Sequence, residues 1–309
     1  MDVSIITSLY RSANHLGGFL ERLEACIRSV EGRGYSAESI IVSNAASKRE
    51  RHILETAFHS LWWRGHSRLI AVERETIYAS WNRGLRASTG TAIAFWNADD
   101  HRNPAALVEG INLVRQGHAV VRFPWVNVVE PKSGFRLQTK RDVDFQDHEG
   151  QARLDPQVDL FGGPFFMFHR RLAEDYGPFD ERFHIAGDWE WQLRVVPHVG
   201  LAWGESLAGI AFADGTNLSG SGSPRLHVEQ NVIFERYSID RPLWPLDGRA
   251  QSLVASYSAD VSTRAVGTDD WAYDRHWLRV RPVRRIYRRC RRIAGTPIRW
   301  ARMRRSESR

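Results

Sequence analysis

Four short runs of apolar and β-branched residues recur through the first hundred positions, each separated from the next by a stretch of helical spacing. The runs are Val3–Leu9, Ser39–Val42, Leu69–Val72 and Thr91–Trp96. Short continuous apolar runs bounded by turn formers read as buried strands. Between the first two, Leu16, Phe19, Leu20, Leu23, Cys26, Ile27 and Val30 recur at spacings of three and four. That is the apolar stripe of a helix lying on a sheet, ended by Gly32 and Gly34. A weaker helix is expected over residues 48–62, and another over 77–88, closed by Gly90. Alternation of this kind predicts an α/β fold with a mostly parallel sheet flanked by helices on both faces. Ligands bind such sheets beyond the carboxyl ends of the strands. The polar residues there, Thr7 to Arg11, Ser43 to Ser47 and Asn97 to Asp100, are therefore expected to converge on one site.

The rest of the chain is less periodic. Residues 119–129 read as a strand and 130–160 as a polar loop region. Residues 161–168 are apolar with a Gly-Gly-Pro break, 188–196 read as a short helix, and 214–224 as a flexible polar loop. No run approaches the roughly 20 apolar residues that span a bilayer, and the N-terminus lacks the parts of a signal peptide. Two cysteines, Cys26 and Cys290, make neither a disulfide framework nor a zinc site, so a reducing cytoplasm is expected. A Walker A loop, a G-x-S-x-G elbow, a G-x-G-x-x-G fingerprint and H-E-x-x-H are all absent from the sequence.

Charge is distributed unevenly. The whole chain carries +7, yet residues 275–309 hold fourteen Arg against one acid, Glu307, which leaves the remainder net acidic. Within this tail Val283, Ile286, Tyr287, Cys290, Ile293 and Ala294 recur at helical spacing with Arg on the other faces. A basic amphipathic helix suits an anionic membrane surface. A helix docked on the body, or contact with nucleic acid, are the alternatives.

The chemistry concentrates at Asn97-Ala98-Asp99-Asp100, directly after a buried strand. Carboxylates there cost desolvation unless paired or bound to a cation. Hard oxygen ligands suit Mg²⁺ or Mn²⁺ holding a diphosphate. The same residue types also make ordinary turns.

Wider context favours the first reading. Val3-Ser4-Ile5-Ile6-Thr7-Ser8-Leu9-Tyr10 and Ile40-Ile41-Val42-Ser43-Asn44-Ala45-Ala46-Ser47 resemble the first two nucleotide-binding strands of the family-two, GT-A-type glycosyltransferases. Ile77-Tyr78-Ala79-Ser80-Trp81-Asn82-Arg83-Gly84, Ala87-Ser88-Thr89-Gly90 and Phe95-Trp96-Asn97-Ala98-Asp99-Asp100 resemble that family's next block. Gly177-Pro178-Phe179-Asp180-Glu181 and Ala186-Gly187-Asp188-Trp189-Glu190-Trp191 resemble its acceptor-side block.

The resemblance implies a division into a nucleotide-sugar-binding half (1–115), an acceptor-binding and catalytic half (116–240), a peripheral segment (241–274) and the basic tail (275–309). It implies that Asp99 binds a divalent metal and the donor diphosphate, with Asp100 and Asp214 as further metal ligands. Thr7, Tyr10, Asn44, Tyr78, Asn82 and Asn97 are the implied donor contacts. Asn44 and Asn97 stand where the family usually has Asp, Gly187 where it has Glu, and Asp214 in the loop where many relatives carry a metal-binding His. Asp188 falls on the general base, with Glu190 as fallback.

The reaction explains the residue types. A sugar leaving a nucleoside diphosphate sheds negative charge, which a divalent cation stabilises. The acceptor hydroxyl needs a carboxylate to take its proton. One base with direct attack inverts the anomeric carbon. Asp188 could also cap the helix that follows it, and both roles can hold because they use different oxygens. Trp189, Trp191 and Trp203 could pack on sugar faces, though core is the commoner place for such residues, and above all for Trp191. His169, Arg170 and Arg171 could meet phosphates but read better as a solvated turn. The expectation is thus an inverting, Mn²⁺- or Mg²⁺-dependent glycosyltransferase of surface polysaccharide synthesis, acting on a saccharide or lipid-linked acceptor without nucleic acid. It is expected in the cytoplasm, peripheral on the membrane's cytoplasmic face. The alternatives are a catalytically weak sugar-nucleotide-binding protein and a nucleic-acid-binding protein using the Arg-rich tail.

Overall fold

The computed structural model describes residues 1–129, 136–140, 165–213, 223–239 and 243–246. In chain order the first half runs β1 (Val3–Leu9), α1 (Leu16–Glu31), β2 (Ala37–Asn44), α2 (Lys48–Phe58), α3 (Leu61–His66), β3 (Ser67–Val72), α4 (Ile77–Ala87), β4 (Ala92–Phe95), β5 (His101–Arg102) and α5 (Pro104–Arg115). Then follow β6 (Val120–Arg122), β7 (Trp125–Val129), β8 (Arg136–Lys140), β9 (Met167–His169), α6 (Leu172–Asp175), α7 (Gly187–Val199), β10 (Ala202–Trp203), β11 (Gly209–Ala213) and α8 (Pro224–Arg236).

The central sheet has the order β10-β6-β9-β4-β1-β2-β3. Four neighbours, β4, β1, β2 and β3, are mutually parallel, as the βα alternation requires. Their carboxyl ends share one edge. β9 runs antiparallel between β4 and β6, so the sheet draws strands from both sides of residue 115. A smaller mixed sheet, β5-β11-β7-β8, lies beyond β4.

Among the described residues the core divides into two layers, one on each face of the sheet. Strand side chains alternate between them: Val3, Ile5, Leu9, Ile41, Ala94 and Trp96 face one layer, while Ile6, Ile40, Val42, Ile93 and Phe95 face the other. All seven stripe residues of α1 are buried in the first layer, where α5 joins them. Burial of each large one contributes about 1.5–3 kcal/mol over leaving it exposed. The second layer is closed by α4, α7 and α8 around an aromatic cluster. There Trp81 stacks on Phe95 at 3.9 Å, and Phe179 and Trp191 close at 5.2 Å.

Several local expectations change. The single helix over 48–62 is two, because Ser60 accepts from the Trp62 amide and starts a second helix. The single strand over 119–129 is β6 and β7 in two different sheets, parted at Phe123-Pro124; proline cannot donate into a central ladder. The loop region 130–160 contains a strand, β8, paired with β7. α7 is longer than 188–196 at both ends. α4 ends at Ala87 with Ser88 as its cap, one residue short of the expected 77–88; Gly90 sits against the backbone of β1, where a Cβ would clash with Ser4 and Val3. α8 was not expected at all.

Candidate active site

The edge formed by the carboxyl ends of β1, β2 and β3 opens into a cleft of about 550 Å³. Tyr10, Arg11, Ala13 and Asn14 line it from the loop after β1. Ala45, Ser47 and Glu50 come from the segment after β2, and Arg74 from the loop after β3. Arg11 and Ala45, just past adjacent strands, both hold left-handed backbone, with φ of 53° and 48°. Non-glycine residues in that region are strained and cluster at functional sites. Ser47 and Glu50 form a capping box at the start of α2, and Glu50 also accepts from the Ser12 amide at 2.5 Å, which ties the two loops together. Burial acts to raise the Glu50 pKa, but these hydrogen bonds outweigh it and hold the carboxyl below its usual range. The Arg74 guanidinium lies 3.4 Å from the centre of the Tyr10 ring and Arg11 5.2 Å from it.

Next along the same edge, β4 delivers the acidic turn. The Asp100 amide donates to the Asn97 carbonyl, so the segment is a turn, and its side chains are arranged by it. Asp100 is buried, accepting from Asn97 Nδ2 at 3.2 Å and from the Phe212 amide of β11 at 3.3 Å. Burial first, and the neighbouring Asp99 charge second, push the Asp100 carboxyl up to about 8. Asp99 is partly exposed. Arg22 of α1 holds the turn from behind through the Ala98 carbonyl at 3.2 Å. Among the described residues no group of three or more His, Cys, Asp or Glu gathers in metal-binding geometry. Asp214 lies outside the described residues.

Asp188 stands on the first turn of α7, buried, where its Oδ1 accepts from the Trp189 amide and from the Tyr78 hydroxyl, both at 2.9 Å. The residues leading into α7 are held by a carboxylate of α8: Glu229, fully buried, accepts from the His184, Ile185 and Ala186 amides at 2.7–2.9 Å. Burial raises the Glu229 pKa against the pull of Arg225 and those amides. Glu190, two positions on, belongs to a separate cluster. It accepts from Tyr237 at 2.7 Å and pairs with Arg236 and Arg194, and Arg236 also reaches Asp180.

Other expected donor contacts have internal partners. Asn44 donates to the Glu75 carbonyl and Ser80, and accepts from the Glu75 amide, tying the end of β2 to the loop before α4. Asn82 bonds both backbone groups of Phe179 and the Glu181 carboxylate. Tyr78 is buried against Asp188 and Ile185. Thr7 is buried in β1, its hydroxyl without a partner. Tyr10 alone of the six lines the cleft. Trp189 and Trp191 are core, Trp203 is half-buried over Arg122, and Arg170 and Arg171 pair with Glu174 and Asp175 on a solvated turn.

A parallel edge carrying a cleft and a carboxylate pair is the setting in which the comparisons with known proteins fall. The model of glycosyl transferase family 2 matches residues 4–177, more than half of the chain. The chain belongs to this family. Glycosyltransferase AglE of Haloferax volcanii is 23% identical over 202 residues, which cover 62% of this chain and 60% of that protein. The chain thus spans about 60% of the length of this curated relative. Among solved structures, S. aureus TarS in complex with UDP-GlcNAc superposes with a TM-score of 0.57 at 15% identity, over 84% of this chain and 72% of that one. The mannosyltransferase PcManGT from Pyrobaculum calidifontis, in complex with GDP-Man and Mn²⁺, gives 0.53 at 15% identity, over 88% and 72%. These likenesses establish the GT-A-type fold of this family 2 chain.

Sequence reasoning missed Arg74, Glu75, Glu229 and Arg22. Arg74 and Glu75 follow the third strand, and the carboxyl-edge argument applied there would have found them. The Ser47-Lys48-Arg49-Glu50 capping box was also readable. Glu229 had no signal, because α8 buries Arg225, Glu229 and Asn231 on the face where a stripe would be apolar. No helix among the described residues is long and apolar enough to cross a membrane.

Proposed function

We propose that this family 2 chain transfers a glycosyl residue from a nucleoside diphosphate sugar to a hydroxyl of a saccharide or lipid-linked acceptor, with inversion, in surface polysaccharide synthesis. The observation that carries the reading is the carboxylate pair Asp99–Asp100, placed at the end of β4 on the same sheet edge as the cleft. The base and ribose occupy the cleft, with Tyr10 as an aromatic wall and Arg11 and Arg74 as donors to base or phosphate oxygens.

The donor set fits a hard divalent cation such as Mn²⁺ or Mg²⁺: oxygen ligands only, and a buried carboxyl pushed up to about 8 beside a second one, which a cation would relieve. Asp99 and Asp100 would hold it, completed by the donor phosphates, with Asp214 as a further ligand. When bound, the cation stabilises charge on the departing diphosphate. Asp188 takes the acceptor proton, held in its rotamer by Tyr78 and by the Trp189 amide. Asn97 positions Asp100 through its side-chain amide.

The test is a panel of nucleotide sugars assayed for release of nucleoside diphosphate with and without Mn²⁺ or Mg²⁺. Calorimetry on Asp99→Ala completes it: loss of metal-dependent donor binding is expected, and unchanged binding refutes the assignment.

For residues 275–309, which lie outside the described residues, the sequence supports an anionic membrane partner at the cytoplasmic face. Each basic residue near such a surface contributes about 1 kcal/mol, and a fraction of fourteen Arg suffices. Anionic vesicles should sediment the full chain at low salt and leave a truncation after Asp274 in the supernatant. Equal behaviour of the two refutes the anchor.

A further inference from the structure

The Tyr78 hydroxyl that holds Asp188 also has a second acceptor within reach, which the reading above leaves unused. Tyr78 sits in the first turn of α4, whose start is pinned by Thr76 donating to the Glu181 carbonyl at 2.9 Å. Its ring is locked edge-on against Trp81 at 5.3 Å and stacked on Phe179 at 5.9 Å. The hydroxyl therefore has a fixed position, 2.6 Å from the Ile185 carbonyl and 2.9 Å from Asp188 Oδ1. One O–H proton faces two acceptors, and it serves only one at a time. The neighbouring glycine belongs to the same device. A Cβ on Gly187 would lie 2.7 Å from the Tyr78 ring, so the bare position lets the ring reach Asp188.

We propose that Tyr78 is a positioning residue for Asp188, its hydroxyl donating to the ionised carboxylate before proton transfer and turning to the Ile185 carbonyl once Asp188 has taken the acceptor proton. The inference rests on Asp188 being the base. Hydrogen bonding to a charged form favours that form, so Tyr78 lowers the Asp188 pKa and fixes its rotamer at once. Tyr78 supplies no proton of its own to the reaction. Its burial, followed by the charges of Asp188 and Glu229, pushes its own pKa well above 10. Among the described residues the other charged or titratable groups around this centre include Glu229 and Arg225 of α8, His184 before α7, and Arg74 of the cleft. Burial, reinforced by Arg225 and Arg74, holds His184 well below its usual 6.5, so it stays neutral near neutral pH.

The experiment is the pH profile of kcat/KM for wild type, Tyr78→Phe, Gly187→Ala and Asp188→Asn, with the donor the panel identifies. For Tyr78→Phe the acidic limb is expected to move up by about one pH unit, with donor KM unchanged. Gly187→Ala removes no polar group but displaces the ring, so it should move the limb the same way; it decides the matter if Tyr78→Phe does not fold. A limb at the wild-type position in the folded variants overturns the proposal, and a raised donor KM with an unmoved limb would instead make Tyr78 a donor contact. Asp188→Asn separates the two readings. Wild-type turnover in that variant removes Asp188 as base, and the proposal with it; lost turnover together with an unmoved limb in Tyr78→Phe sinks the positioning role alone.

Discussion

The cleft at the ends of β1, β2 and β3 and the Asp188 centre are built from opposite materials. The cleft is open and cationic, and each loop that lines it follows its own strand, so every wall is close in sequence to the element that places it. The Asp188 centre is buried and anionic, and its bonds join distant parts of the chain: Tyr78 to Asp188 across 110 residues, His184 to Glu229 across 45. Substitutions in the cleft should therefore act mainly on binding and leave the fold alone, except at Ser47 and Glu50, which also cap α2. Around Asp188, folding and chemistry are expected to be entangled, except where the side chain removed is isosteric with its replacement.

The largest expected effect tests that entanglement. Glu229→Ala strips three backbone amides of their acceptor and removes the buried carboxylate whose charge interacts with that of Arg225. Removing one member of a buried charged pair costs about 3–5 kcal/mol, to be read by urea denaturation. A loss under about 1 kcal/mol would show that solvent reaches this end of α7 and that the two regions are less different than drawn. Asp188→Asn comes next. It should lower turnover by on the order of a hundredfold or more while donor affinity holds, measured by initial rates and calorimetry. Turnover near wild type would move the base elsewhere.

On the cleft side, Tyr10→Ala should weaken donor binding about tenfold, the loss of one aromatic contact, with stability within about 0.5 kcal/mol of wild type. Coupled loss of both would mean that the cleft is as structural as the Asp188 centre. Ser47→Ala removes the cap of α2 in the cleft wall and should cost about 1 kcal/mol in thermal or urea unfolding.

The smallest effect is on pH. Glu38 of β2 is buried, which acts to raise its pKa, but hydrogen bonds from Ser4 and Thr89 and the charge of Arg68 outweigh burial and hold it below its usual 4.5. A carboxylate depressed in the folded state stabilises fully above its unfolded pKa and loses that contribution as pH falls through the folded value. Stability should thus decline below about 4.5 in wild type, and Glu38→Gln should flatten part of that decline in unfolding midpoints measured against pH. An unchanged slope would assign the acid sensitivity to other carboxylates.

The strands and helices of the first hundred residues were legible because each carries its own period. β1, α1, β2, α4 and β4 declare themselves by burial patterns that are local in sequence. The acidic turn after β4 and the cleft residues Tyr10, Arg11, Ala45 and Ser47 follow from topology alone, since a parallel sheet gathers its carboxyl ends. The second half was less legible. β6 and β7 look like one strand until Pro124 sends them to different sheets, and α8 hides its helical period because it buries Arg225 and Glu229.

By itself, then, the sequence determined the fold class, the sheet edge on which the cleft lies and the identity of the carboxylates near it. Those properties depend on periodicity and on residue type, which local sequence carries. Only the tertiary structure decided that Asn44 and Asn82 tie loops together, that Glu190 is held by Arg194, Arg236 and Tyr237, and that Tyr78 lies against Asp188 over a glycine. A side chain's role in a buried polar cluster depends on which distant partner satisfies it. Low dielectric makes that partner energetically decisive, and no local pattern encodes it.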